Sequence, residues 1–286
     1  METDLITIIP NEYIPKYLIN TLNKNDCPHL IEYFQINNEQ AFNSKTDNKY
    51  EKTTTIDERI LKEIIQIEDE KFKNIRQESN LNEETKDITR ILKEYLQHNK
   101  ILGLTAGLPG SGKTSFIKKH FPNNHISLDE ELNKYEHLYQ KATEDDKRTG
   151  RLEDSIHYKI QQEIDERLKQ ESIIIDSLCN TKNKRHDYRS RHDRIGYHHN
   201  YQVICFLFDS QCQTCYERMQ TRKKDPPEQI YHLSSLIYSL LEFETPLNND
   251  LTPEKGLDLI LTVDINGTIK SAHPLETYEK IKEKRI

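Results

Sequence analysis

Residues 107–114 read Gly107-Leu108-Pro109-Gly110-Ser111-Gly112-Lys113-Thr114, and no other segment limits so tightly what this chain can fold into. The run fits the pattern G-x-x-x-x-G-K-[ST] in full, between an apolar stretch, Ile101–Ala106, and a helix-forming one, Gly112–His120. Such a loop turns its backbone N–H groups inward around a phosphate, using conformations and close approaches that a Cβ obstructs. Glycine is scarce elsewhere, with four of the eight falling between Gly103 and Gly112. The following helix adds the partial positive charge of its N-terminus. The segment reads as a nucleoside-triphosphate site. Gly107, Pro109, Gly110, Ser111, Gly112, Lys113, Thr114 and Ser115 form the cradle for ATP. Lys113 is expected to bridge the β- and γ-phosphates, and Thr114 to offer a hydroxyl to Mg²⁺.

Around this loop, short apolar runs alternate with longer amphipathic ones. The strand candidates are Ile101–Ala106, His125–Leu128, Ser172–Ile175, Gln202–Phe208 and Leu257–Val263; the helix candidates between them include Glu153–Gln170, Asn183–Ile195 and Gln211–Arg222. Strands that are apolar throughout and separated by helices imply a parallel sheet covered on both faces. Thr252-Pro253-Glu254 reads as a helix start. Asn266-Gly267 reads as a type I′ hairpin turn.

The first 95 residues differ in character, with 19 acidic and 13 basic side chains. Thr55 and Glu58 have the spacing of a capping box, followed by Ile60, Leu61, Ile64, Ile65, Phe72 and Ile75. Ile88, Ile91, Leu92, Tyr95 and Leu96 then trace the buried stripe of a second helix. The polar stretch around Asn43–Lys52 reads as a loop. The expected organisation is a mostly helical region over 1–98, open to a protein partner, and an α/β three-layer sandwich over 99–286.

Composition narrows the setting. Net charge is -7, against a large nucleic-acid footprint held by phosphate neutralisation alone. No apolar run approaches the ~20 residues of a membrane span, and Met-Glu-Thr-Asp lacks the basic start of a secretory signal. Five cysteines without scaffold-like spacing point to a reducing, cytoplasmic compartment rather than a disulfide framework.

Further residues complete a phosphoryl-transfer set. Ile173-Ile174-Ile175-Asp176 is an apolar run ending in a carboxylate, where an acid meets a metal or an acceptor. Ile126-Ser127-Leu128-Asp129 reads as another strand ending in an acid, Asp129 being the candidate general base, with Glu130 and Glu131 as neighbouring alternatives. Arg218 and Arg222 stand four apart on a helix that Asp225-Pro226-Pro227 ends, an arginine-bearing lid near 218–227. Lys182, Lys184, Arg185, Arg189, Arg191 and Arg194 form the densest basic run, either a groove for an acceptor's phosphates or a solvated helix. Cys212 and Cys215 have redox or zinc spacing but no second pair, and suit one buried helix face equally well.

From Gly107 to about Asp264 the chain resembles the kinase domain of polynucleotide 5′-hydroxyl kinases and their P-loop relatives. The matching positions are Pro109–Lys113, Asp129, Asp176, Arg218 with Arg222, Pro227 with Tyr231, Phe243 with Pro246, and Glu254-Lys255-Gly256. The resemblance implies a P-loop NTPase fold and transfer of the γ-phosphate of ATP to a hydroxyl. Asp129 would be the base, Lys113 and Arg222 the charge stabilisers, Arg218 a nucleotide contact, and Thr114 and Asp176 the metal ligands. The implied acceptor is a polynucleotide 5′ end. Two departures fall on the acceptor side: Leu132 stands where the family has an arginine, and Asp176-Ser177-Leu178-Cys179-Asn180 is one residue longer than the family's Asp-x-Thr-Asn. A small-molecule acceptor, as in zeta-toxin-like kinases, is one alternative; a non-catalytic ATP-binding regulator is another.

Overall fold

The computed structural model describes residues 16–34, 57–76, 79–135, 137–138, 151–194, 201–221 and 233–284. Thr55, the Asn43–Lys52 stretch, Arg222, Pro227 and Tyr231 lie outside them. The chain divides into two compact units, one of residues 1–73, 108–110 and 211–243, the other of 74–107, 111–210 and 244–286.

The second unit is built on a six-stranded sheet: β1 (Ile101–Ala106), β2 (His125–Ser127), β3 (Ile173–Asp176), β4 (Gln202–Phe208), β5 (Leu259–Val263) and β6 (Ile269–His273). The order is β2-β3-β1-β4-β5-β6, with β6 alone antiparallel. Every residue of β1, β3 and β5 is buried, as strands covered on both faces require. One face packs against α3 (Thr85–His98), α4 (Lys113–His120) and α10 (Leu275–Glu283). Their Ile88, Ile91, Leu92, Tyr95, Phe116, Ile117, Tyr278 and Ile281 meet alternate residues of β4 and β5 such as Ile204, Phe206, Leu259 and Leu261. Helix α3, N-terminal to residue 98, thus belongs to the sheet's own core. The unit also contains α5 (Leu128–Asn133), α6 (Arg151–Gln170) and α7 (Lys182–Arg194).

The outer edge of β6 is closed by residues 79–81. Asn80 acts as a strand substitute, its Nδ2 donating to Ala272 O and its Oδ1 accepting from Ala272 N, both at 2.9 Å. Leu81 N–H donates to Lys270 O. This covering satisfies backbone groups that an open edge would offer to another chain.

Three local expectations are corrected. The strand expected over His125–Leu128 ends at Ser127, whose hydroxyl accepts the Glu130 N–H and starts α5. Thr252-Pro253-Glu254 begins no helix. Pro253 instead bridges Leu247 in antiparallel fashion, and Glu254 N–H donates to Pro246 O. The β5–β6 hairpin forms, but its turn is Asp264–Gly267, with Gly267 N–H donating to Asp264 O. Gly267 alone there is left-handed (φ 79°), and Asp264 Oδ1 accepts from Asn266 and Thr268, so the geometry is not type I′.

The first unit is helical: α1 (Lys16–Lys24), a helical run over 28–34, most of α2 (Glu58–Arg76), α8 (Cys212–Thr221) and α9 (Leu233–Glu242). Asp57 caps α2 by accepting the Arg59 N–H. Polar side chains of α2 satisfy the ends of three other helices. Glu63 accepts from the N–H groups of His29 and Leu30, and Glu68 from that of Cys212. Lys71 Nζ donates to the carbonyls of Leu241 and Phe243, and Phe72 stacks on Phe243 with ring centroids 4.7 Å apart. Two buried acids of the acidic N-terminal region therefore act as helix caps.

Candidate active site

The site grows from the carboxyl ends of β1, β3 and β2, where an open parallel sheet gathers its loops. Register Leu104↔Ile175 puts Asp176 level with Thr105, two residues before the phosphate loop. Thr105 Oγ1 accepts from Ser177 N–H and donates to Ser177 O at 2.8 Å, while Cys179 N–H donates to Thr105 O. Asn180, buried, accepts the Gly107 N–H on its Oδ1 at 2.9 Å. The loop after β3, lengthened relative to the family pattern, is thereby bonded to the start of the phosphate cradle.

Within that cradle Gly112 (φ 98°) caps α4, so the helix begins at Lys113 and presents its first unpaired N–H groups to the loop. Lys113 is buried; its Nζ donates to Gly107 O at 2.9 Å and lies 3.4 Å from Ser111 Oγ. Ser111 O in turn accepts from Ser210 Oγ beyond β4. Ser115 is exposed and Thr114 half-buried. In the other unit, Gly110 (φ 79°) sits where a Cβ would lie 2.4 Å from Cys215 O of α8 and 3.1 Å from Met219 Cγ. Gly110→Ala would force both a disfavoured conformation and a backbone displacement. It is expected to weaken nucleotide binding at least about tenfold, since strain of this kind reaches 1–2 kcal/mol before the clash is added. Equilibrium titration with a fluorescent ATP analogue measures it; unchanged affinity would show that the loop does not need this approach.

Asp176 is the electrostatic centre. Burial pushes its carboxyl upward, but hydrogen bonds from His125 and Thr114 and the charge of Lys113 outweigh it and hold the group below the usual carboxylate range. A carboxylate kept ionised beside a threonine hydroxyl is a pair of hard oxygen donors, the chemistry Mg²⁺ selects. Thr114 and Asp176 therefore fit the metal that accompanies a nucleotide. Such an ion would neutralise charge on the β- and γ-phosphates. The partner of Asp176, His125, escaped the sequence reading, because nothing local marks a single histidine opening a three-residue strand.

Asp129 lies exposed in the first turn of α5 rather than at a strand end, two residues beyond the edge strand β2. Its neighbours are engaged, Glu130 with Lys118 and Glu131 with Lys134. Leu132, where the resemblance has an arginine, is buried in the core. Arg218 is half-buried in the last turn of α8, and Arg222 is beyond the described residues.

The basic helix α7 departs most from expectation. Arg185 is 1 % exposed and forms a two-pronged ion pair with Glu254, Nε to Oε1 at 2.6 Å and Nη2 to Oε2 at 2.7 Å, while Nη1 donates to Cys179 O. Arg189 lies against Gly256, so close that a Cβ there would overlap its guanidinium. Glu254-Lys255-Gly256 is thus a receptor for α7, and Arg185 is not a groove residue. All five cysteines are free and buried; burial pushes Cys179 and Cys205 up to about 12, away from thiolate chemistry. Among the described residues no three or more His, Cys, Asp and Glu side chains gather into a further metal site, and no helix is long and apolar enough to cross a membrane.

Residues 102–233 match the family model described as an AAA domain, a span just under half the chain. No curated protein matches. Similar solved structures include an unliganded sugar kinase from Janibacter sp. HTCC2649, at 17 % identity and a TM-score of 0.36, covering 65 % of this chain and 91 % of that one. Another comes from the PezAT chromosomal toxin–antitoxin system of Streptococcus pneumoniae, at 14 % identity and a TM-score of 0.41, covering 70 % and 93 %. Strand order, the cradle between β1 and α4, and the matched family model together give this chain the P-loop NTPase fold, preceded by a helical N-terminal region.

Proposed function

We propose that this protein is an ATP-dependent phosphotransferase that moves the γ-phosphate to a hydroxyl. The observation that carries the reading is the meeting of Lys113, Thr114 and an ionised Asp176 at the carboxyl ends of β1 and β3. In this reading Lys113 draws charge from the β- and γ-phosphates, Thr114 and Asp176 hold Mg²⁺, and Asp129 accepts the proton of the attacking hydroxyl. Arg218 and Arg222 keep the roles that the resemblance gives them, nucleotide contact and charge stabilisation.

For the acceptor, the side chains favour a compact molecule. A polynucleotide needs cations along its phosphates, yet position 132 is a buried leucine and Arg185 is committed to Glu254. A small molecule bearing a hydroxyl, such as a nucleotide sugar, is the better-supported acceptor. The order of matched positions from Pro109 to Gly256 supports a polynucleotide 5′-hydroxyl as the second reading. Five free cysteines suit a reducing, cytoplasmic setting.

The test is transfer of labelled γ-phosphate from ATP to a panel of 5′-hydroxyl DNA, 5′-hydroxyl RNA and nucleotide sugars. The expected result is labelling of a small-molecule acceptor. Asp129→Asn should retain ATP binding and lower transfer by at least about 10²-fold, the lower bound for loss of a general base. Labelling of the oligonucleotides alone would establish the second reading. ATP binding without transfer to any acceptor would remove the phosphotransferase assignment.

A further inference from the structure

We infer that His125 is a positioning residue that sets the orientation of the Asp176 carboxylate toward Thr114 and the nucleotide's magnesium. The inference rests on the reading of Asp176 as a metal ligand. Register His125↔Ile174 and Ser127↔Asp176 places His125 diagonally across from Asp176 on the same face of neighbouring strands, within reach of a long side chain. Its Nε2 lies 3.3 Å from Asp176 Oδ2, and the two side chains are 7 % and 5 % exposed.

A carboxylate held by one hydrogen bond can still rotate about its last torsion. Asp176 is held by two, from Thr114 and from His125, beside the charge of Lys113. Thr114 would have to share its hydroxyl with an arriving metal. His125 has no such competing duty and keeps the carboxylate plane fixed while the other contacts rearrange. Outer partners of metal-binding carboxylates act in this way, and losing one costs roughly 10–100-fold in metal affinity. Direct substrate contact by His125 is not needed for the effect, because the imidazole works through Asp176.

The experiment measures affinity of the full chain for a fluorescent, non-hydrolysable ATP analogue, once with saturating Mg²⁺ and once in EDTA. The variants are His125→Met, which fills the space without a donor, and His125→Gln, which returns an N–H at similar reach. Wild type should bind more tightly with Mg²⁺. His125→Met should lose about tenfold of that gain while its affinity in EDTA stays within about twofold of wild type. His125→Gln should recover most of the gain. Should His125→Met fail to fold, His125→Asn, whose shorter side chain cannot reach Oδ2, replaces it with the same expectation. Equal weakening with and without Mg²⁺, or a full magnesium gain without a donor at position 125, overturns the inference. A wild-type chain with no magnesium gain overturns the metal role of Asp176 instead, and this inference with it.

Discussion

Lys113→Ala is expected to reduce phosphate transfer from ATP by roughly 10²–10⁴-fold. A lysine at this point of the loop meets two phosphate oxygens, and each charge-assisted hydrogen bond contributes roughly 1.5–3 kcal/mol. Two of them amount to about 3–6 kcal/mol on the barrier, at tenfold per 1.36 kcal/mol. The contacts of Lys113 explain why folding should survive. Lys113 Nζ donates to the loop's own Gly107 carbonyl and approaches Ser111, contacts within the cradle itself. Its charge also helps to keep Asp176 ionised, so the variant should lose some magnesium dependence along with transfer. Single-turnover transfer with the folded variant, checked by its urea midpoint, measures the effect. Turnover at the wild-type rate would show that the cradle binds a nucleotide without acting on it.

What could be read from the sequence was what is local. The phosphate cradle is contiguous, and its glycines, lysine and threonine act within eight residues, so pattern and chemistry coincide. Asp176 was visible because three isoleucines ran into an acid. The stripe from Ile88 to Leu96 identified α3 as a helix, but not as part of the sheet's core, since packing partners such as Leu261 and Tyr278 lie far along the chain. Asp129 stands out in the sequence as an acid, but its place in a helix rather than at a strand end does not. Ser127 can continue a strand or cap a helix, and only the Glu130 N–H decides. Arg185 could not have been placed. It sits in a helix with no apolar face, and its partner is 69 residues away in a segment whose own Thr-Pro-Glu pattern pointed to a helix start.

That buried pair supports the second large effect: Glu254→Ala should destabilise the fold by about 3–5 kcal/mol. The guanidinium of Arg185 is 1 % exposed and donates three hydrogen bonds, two to Glu254 and one to Cys179 O. Removing the carboxylate leaves a buried cation with a single neutral acceptor, and breaking a buried pair from one side has that cost. Replacing both partners is a different experiment. Arg185→Met with Glu254→Leu removes the desolvation cost together with the attraction, and should fall far closer to wild type than either single change. Denaturant unfolding of the two single variants and the double variant gives the coupling directly. The cycle also bears on the acceptor. If Arg185 served an acceptor's phosphates, Glu254→Ala would free the guanidinium, leave stability nearly unchanged and strengthen oligonucleotide binding. If the pair is the strut that joins α7 to Glu254-Lys255-Gly256, stability falls, oligonucleotide binding gains nothing, and the salt dependence of any such binding is the same in the double variant as in wild type.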